Sequence, residues 1–389
     1  MVGPGSSTEV ASLPPKKDFP SQASLLGDLG NNYSPYGVAA GQKPFNSSLF
    51  CYPGGITVKD VNRLADYSFV GTGDEVLMTP SSAISLGRLA AVTSSGNTLI
   101  VDNRNRGIEI QPSTDLGSPS RVREFPLYPE ERFSNPQEIN QLAISPINDA
   151  HLFVAFVPMD HRGFPNQVSF VDTTDESKPK FTDVHFFPHE RIVDFAAGQD
   201  REGSELVAVV SEGVEKQNTA LQIFDTKGKE IINIKDVTTV IAGGAGEFFY
   251  MNQLGKVYSL KNEDAPPSWQ KKPVFDPNKT RGEPLFLTKA PDGKVVVVTR
   301  SGQVFLVDPQ KPEKNGLPGT HYQLPETSET GKPLILCEAA ATMDGGTAYA
   351  VMREGSSAVD ANYLLYKLYD LIPEPPPVEP PAAEVPSLE

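Results

Sequence analysis

The feature that most narrows what this chain can fold into is a short strand–turn–strand unit that recurs about six times with drifting spacing. It reads most plainly as Leu142-Ala143-Ile144-Ser145-Pro146, then Leu152-Phe153-Val154-Ala155-Phe156-Val157, then Val168-Ser169-Phe170-Val171-Asp172. The same order returns in Thr288-Lys289-Ala290-Pro291-Asp292-Gly293, Val295-Val296-Val297-Val298-Thr299 and Val304-Phe305-Leu306-Val307-Asp308. A unit this small cannot bury its own apolar face, so it must stack on its neighbours, and the repetition becomes a statement about architecture. The expectation is all-β: a single β-propeller, with seven blades favoured over six.

The spacing of the units supports that expectation. Their third strands end near Ile110, Val171, Phe224, Leu260, Val307 and Tyr369, with gaps of 61, 53, 36, 47 and 62 residues. Four-stranded blades with variable loops need such lengths. A seventh unit has to come from residues 46–80, where Tyr67–Val70 and Glu75–Thr79 read as a strand pair. Ring closure would then set that segment beside residues 361–371. Gly-containing turns (Ser95-Gly96-Asn97, Asp292-Gly293, Asp344-Gly345) sit between apolar runs, as hairpins require. Third strands tend to close on Asp, at Asp172, Asp225, Asp308 and Asp370, and these are read as turn builders.

The predicted organisation has three parts. Residues 1–45 read as a flexible N-terminal arm, because Gly3-Pro4-Gly5-Ser6-Ser7 and Pro14-Pro15-Lys16-Lys17 carry too few apolar residues to offset ordering entropy. Residues 46–372 form the propeller. Residues 373–389 hold seven Pro and four Glu, the composition of an extended polyproline-II-like tail.

Charge narrows the partners. With 34 basic and 49 acidic residues the net charge is −15, and the longest basic clusters, Lys16-Lys17 and Lys271-Lys272, are two residues each. Phosphate backbones demand a cationic footprint, so nucleic acid is excluded as a partner and a protein partner is expected. No apolar run approaches the ~20 residues of a transmembrane helix. Residues 1–25 hold no secretory apolar core. This reads as cytoplasmic, with an extracytoplasmic site as the alternative if the chain is a processed form. Cys51 and Cys337 lie 286 positions apart. Both are free thiols in a reducing compartment, or a bridge stapling the ring in an oxidising one.

The repeat carries a family resemblance. Residues 142–155 followed by Val168-Ser169-Phe170-Val171-Asp172 resemble the YVTN-type propeller repeat, A-x-S-P-D-G-x-x-L-Y-V-A and then V-x-V-I-D. Residues 285–308 and 339–353 echo it, so the likeness spans about half of the chain. Ile147-Asn148-Asp149 stands where the repeat has Asp-Gly. The resemblance implies a fold and no activity. WD40 repeats are excluded, since Trp269 is the only tryptophan and no Gly-His…Trp-Asp pairing occurs; quinone-cofactor propellers are disfavoured on the same ground.

Candidate chemistry is sparse. Four of five histidines fall within residues 151–189, at His151, His161, His185 and His189. Asp160-His161-Arg162-Gly163 sets acid, imidazole and guanidinium on one inter-strand loop, and His189-Glu190 pairs a base with a carboxylate. His161, Arg162, His189 and Glu190 are therefore the candidate catalytic residues if the chain is an enzyme. The His185–His189 spacing does not bring two imidazoles together on a strand, so no metal site is predicted. Gly243-Gly244-Ala245-Gly246 lacks the Lys-Ser/Thr of a phosphate loop and reads as a hairpin, and no cofactor site is expected. The favoured function is a non-enzymatic binding or scaffold module. The alternative is a lactonase-like propeller hydrolase acting on a small molecule, which the YVTN-like likeness permits by fold analogy alone.

Overall fold

A computed structural model describes residues 23–30, 66–70, 76–80, 90–92, 98–102, 107–111, 123–126, 137–158, 166–175, 177–213, 218–244, 246–261, 273–277, 284–290, 293–311, 321–341, 347–355 and 362–370. Strand β1 is Ser24–Gly30, and β2 (Asp66–Val70) pairs with β3 (Val76–Pro80). Next come β4 (Ala90–Val92), β5 (Thr98–Asp102), β6 (Gly107–Gln111) and β7 (Arg123–Pro126) as one sheet. A second meander holds β8 (Gln137–Ile144), β9 (His151–Pro158), β10 (Asn166–Asp172) and β11 (Lys180–Phe187). A third holds β12 (Glu190–Gln199), β13 (Glu205–Gly213), β14 (Thr219–Asp225) and β15 (Glu230–Lys235). Three strands follow, β16 (Val237–Ala242), β17 (Glu247–Asn252) and β18 (Val257–Lys261), and Phe275 bridges to Val257 at their edge. Then come β19 (Pro284–Lys289), β20 (Val295–Thr299), β21 (Gln303–Val307) and β22 (His321–Gln323). The last sheet is β23 (Leu334–Ala341), β24 (Thr347–Glu354) and β25 (Asn362–Asp370), with β1 beside β25.

Every pairing is antiparallel, and no α-helix occurs among the described residues. The first strand of each sheet lies against the first strand of the next, from β4 through β8, β12, β16 and β19 to β23. That side-by-side arrangement of inner strands is propeller architecture. The six third strands anticipated from sequence are β6, β10, β14, β18, β21 and β25, and the expected pair at 66–80 is the β2–β3 hairpin.

Ring-edge pairing departs from expectation. It is β1, inside the segment read as an arm, that lies beside β25, whereas among the described residues β2 and β3 pair with each other. Ser24-Leu25-Leu26-Gly27-Asp28-Leu29-Gly30 has two glycines and no β-branched residue, so its strand signal is weak. The edge of β25 supplies what local propensity does not.

The core lies between sheets, and this explains why second strands are continuously apolar rather than alternating. On β13, Leu206, Ala208 and Val210 pack toward Val240, Phe248 and Tyr250, while Val207 and Val209 pack toward Phe153, Ala155 and Phe187. On β20, Val295 and Val297 face Phe249 and Met251, while Val296 and Val298 face Ala348 and Ala350. Turn chemistry follows the sequence reading. Asp172 accepts from the Thr174 amide, Asp225 from Lys227 and Lys229, and Asp308 from Gln310, each at 2.9 Å. The side chain of Asp370 is not among those described. At the glycine hairpin, Gly243 donates its amide to the Glu247 carbonyl, and Gly246 has φ 73°.

Candidate functional site

Strand alternation decides which loops can cooperate. The β9–β10, β11–β12, β13–β14, β15–β16 and β17–β18 connections all fall at one end of three consecutive sheets. The β8–β9, β10–β11, β12–β13 and β14–β15 connections fall at the opposite end. Asp160–Gly163, with His161 and Arg162, lies outside the described residues. The flanking residues Pro158 and Asn166 lie at the first end, as do His189 and Glu190.

There the groups are separately engaged. His189 is exposed on the two-residue β11–β12 turn. Glu190 accepts a 2.5 Å hydrogen bond from the Ser211 hydroxyl through Oε2, and its carbonyl accepts from Asn166 Nδ2 at 2.6 Å. Arg191 pairs across the strand with Glu212 at 2.5 Å. Farther along the same end, Asp236 adopts φ 62°, an uncommon conformation for a residue with a side chain. Its amide bonds the Thr219 carbonyl, and its carbonyl accepts the Gln253 amide at 2.9 Å. The β17–β18 turn is thereby fastened to its neighbour. Asn252 Oδ1 accepts from the amides of Leu254 and Lys256, and Leu254, at 72 % exposure, stands at the tip.

The other two histidines are elsewhere. His151 sits at the opposite end, with Nδ1 2.8 Å from Glu205 Oε1 and Nε2 3.9 Å from Asp172. His185 lies in the wall, stacked on Phe224 at 4.6 Å and edge-on to Phe187 at 4.6 Å. Burial holds the His185 imidazole below its ordinary value, against the pull of Glu230 and Glu190. The unfolded chain therefore binds the extra proton first, so this histidine's contribution to stability is present at neutral pH and is lost as pH falls below about 6.5. His185→Phe keeps the stack and removes the titration. Denaturant unfolding at pH 7.5 and 5.5 should show the parent losing more stability on acidification than the variant. An equal loss in both would refute this account.

Sequence reasoning missed one group with a clear signal. Asp194 interrupts the apolar run Ile192-Val193-Asp194-Phe195-Ala196, and a charge there needs partners. Each inner strand from β8 to β23 carries a bulge at its equivalent place, and Asp194 and Thr239 stand just past theirs. The bulge re-aims Asp194 across the gap between sheets. Its Oδ2 accepts from the Thr239 hydroxyl and from the Val240 amide at 2.8 Å. Burial pushes its carboxyl up, while the bonds from Thr239, Val240 and Phe195 pull it down. The result is an inter-sheet clamp. Cys337 is half-buried, and its thiol is 3.5 Å from the Ile335 carbonyl; Cys51 lies outside the described residues. Among the described residues, no three His, Cys, Asp or Glu side chains converge as metal ligands.

No protein-family model matches this chain. No curated protein sequence matches it either. Solved structures do. The Dos1 propeller is similar with a TM-score of 0.51 at 10% identity, covering 90% of this chain and 81% of that one. YCF48 bound to D1 peptide gives 0.51 at 10% identity, over 93% and 99%. A catalytically inactive virginiamycin B lyase from Staphylococcus aureus with quinupristin gives 0.51 at 11% identity, over 88% and 99%. The chain is a β-propeller, and at these identities the likeness extends to the fold alone. The propeller fold expected from the repeat is thereby borne out.

Proposed function

We propose that this chain is a non-enzymatic propeller module that binds a protein partner through the end carrying the 159–165, 188–189, 214–217 and 253–256 connections. The observation that carries the proposal is Leu254, a large apolar side chain held in solvent by a turn already fixed through Asn252, Asp236 and Thr219. A preordered apolar anchor loses little entropy on binding, which is how interface hot spots differ from scattered surface residues. YCF48, of similar fold, is bound to D1 peptide. The seven described sheets support the seven-blade reading, with β2–β3 as part of the seventh.

The lactonase-like alternative draws on the same fold, and a lyase is among the similar structures. It would assign acid–base or anion-binding roles to His161, Arg162, His189 and Glu190. In the structure Glu190 is engaged by Ser211, while His189 is solvent-exposed, which favours the binding reading. The test pairs two variants on opposite ends. Leu254→Asp should weaken capture of the native partner by tenfold or more, whereas Ile147→Asp, 46% exposed at the other end, should leave it unchanged. The reverse pattern would refute the proposed face. Turnover of lactones by the parent, lost by ~10²–10⁴-fold in His161→Ala, would establish the enzyme instead.

A further inference from the structure

We propose that the outer edge of β25 is a strand-docking site, at which an extended, cationic, proline-free segment of a partner protein takes the place of β1. The site is distinct from the loop end discussed above and does not depend on that reading.

The donor strand now in place is weak. Strand β1 makes five register pairs with β25, interrupted by two shifts, between Leu25 and Gly27 and between Asp28 and Gly30. By contrast β9 and β10 make six pairs with none, and β24 and β25 make eight with one. Two of its seven residues are glycine, and Ser24 and Leu25 are exposed. Glycine in a strand interior lowers its stability and marks irregular pairing.

The acceptor is firm. Tyr363, Leu364, Leu365, Tyr366, Leu368 and Tyr369 of β25 are buried. The Tyr322 hydroxyl donates to the Leu368 carbonyl at 2.5 Å, and the Tyr369 hydroxyl donates to the Lys289 carbonyl, so β25 is also tied to the preceding sheet. With β1 gone, β25 presents an ordered row of backbone donors and acceptors, the template for strand addition. Backbone bonds supply affinity there. The net charge of −15 selects for a basic strand through long-range attraction. Tethered β1 competes at an effective concentration on the order of millimolar, and a regular strand surpasses it by adding a few ladder bonds, each worth several-fold.

The experiment uses the full chain and a fluorescein-labelled nine-residue peptide, Lys-Val-Thr-Ile-Lys-Val-Thr-Val-Lys, matched to the length of β25. A control peptide carries Pro at the fifth position. A third arm uses Ser24→Cys/Lys367→Cys, register partners whose oxidation locks β1 in place and whose reduction releases it. The expected result is saturable binding below about 100 μM, weakened at least tenfold by the Pro substitution and by the oxidised lock, with recovery on reduction. Hydrogen exchange should accelerate at residues 24–30 on binding while β25 stays protected. No binding up to about 1 mM, indifference to Pro or to the lock, or unchanged exchange at 24–30 would each overturn the proposal. Leu254→Asp should bind the peptide as the parent does, which separates this site from the loop end.

Discussion

Phe249→Ala is expected to destabilise the protein by about 3–5 kcal/mol, read as a fall in the denaturant midpoint at unchanged slope. Phe249 is 1% exposed on β17 and packs with Met251, Val257, Phe275, Leu287, Val295 and Val297 at the interface between two sheets. On its other side the ring lies over Gly243, where an added Cβ would stand 2.8 Å from it. Truncation removes dispersion contacts on both sides and leaves a hole that two hydrogen-bonded sheets cannot close by sliding. Phe186→Ala is the control. That ring is 53% exposed on the outer strand β11, and its loss should stay within about 0.5 kcal/mol. A cost below about 1 kcal/mol for Phe249→Ala would mean the sheets repack freely, against the close-packed interface described here.

The same packing explains what could be read from the sequence. Three of the third strands were legible because they run into an Asp (Asp172, Asp225, Asp308) that bonds the next turn, and second strands because burial on both faces makes them unbroken apolar runs. Fourth strands were not. On β15 the pattern is Glu230, Ile231, Ile232, Asn233, Ile234, Lys235, with only Ile232 and Ile234 buried, which reads equally well as loop or edge. Strand β1 was harder still, since its pairing depends on β25, more than 300 positions away in sequence. Of the candidate site, Glu190 and His189 could be named but not assigned. That Glu190 meets Ser211 depends on the Glu190–Gly213 register, and the exposure of Leu254 depends on a turn fastened to Asp236. Asp194 was findable as a charge in an apolar run. Its partner Thr239, one sheet on, was not.

Gly228 and Gly203 form the second comparison, and the difference between them measures how tightly adjacent sheets meet. Both glycines adopt left-handed backbone, with φ of 82° and 85°, in turns at the same end of the β12–β15 sheet. Ala at Gly203 would project into open space, so Gly203→Ala should cost only the conformational term, about 1–2 kcal/mol. At Gly228 an added Cβ would lie 2.3 Å from the Val184 carbonyl oxygen on β11 of the neighbouring sheet. That oxygen cannot retreat easily. Val184 is the extra residue of a bulge between the Val168–His185 and Ser169–Asp183 pairs, and its side chain is buried among Phe187, Val207 and Phe224. Moving the carbonyl would draw Val184 out of that cluster or break the ladder beside it. Gly228→Ala should therefore cost about 1–3 kcal/mol more than Gly203→Ala, compared at equal pH by equilibrium unfolding. Equal costs would show that the β11 bulge yields, and that the contact between these two sheets is looser than its geometry implies.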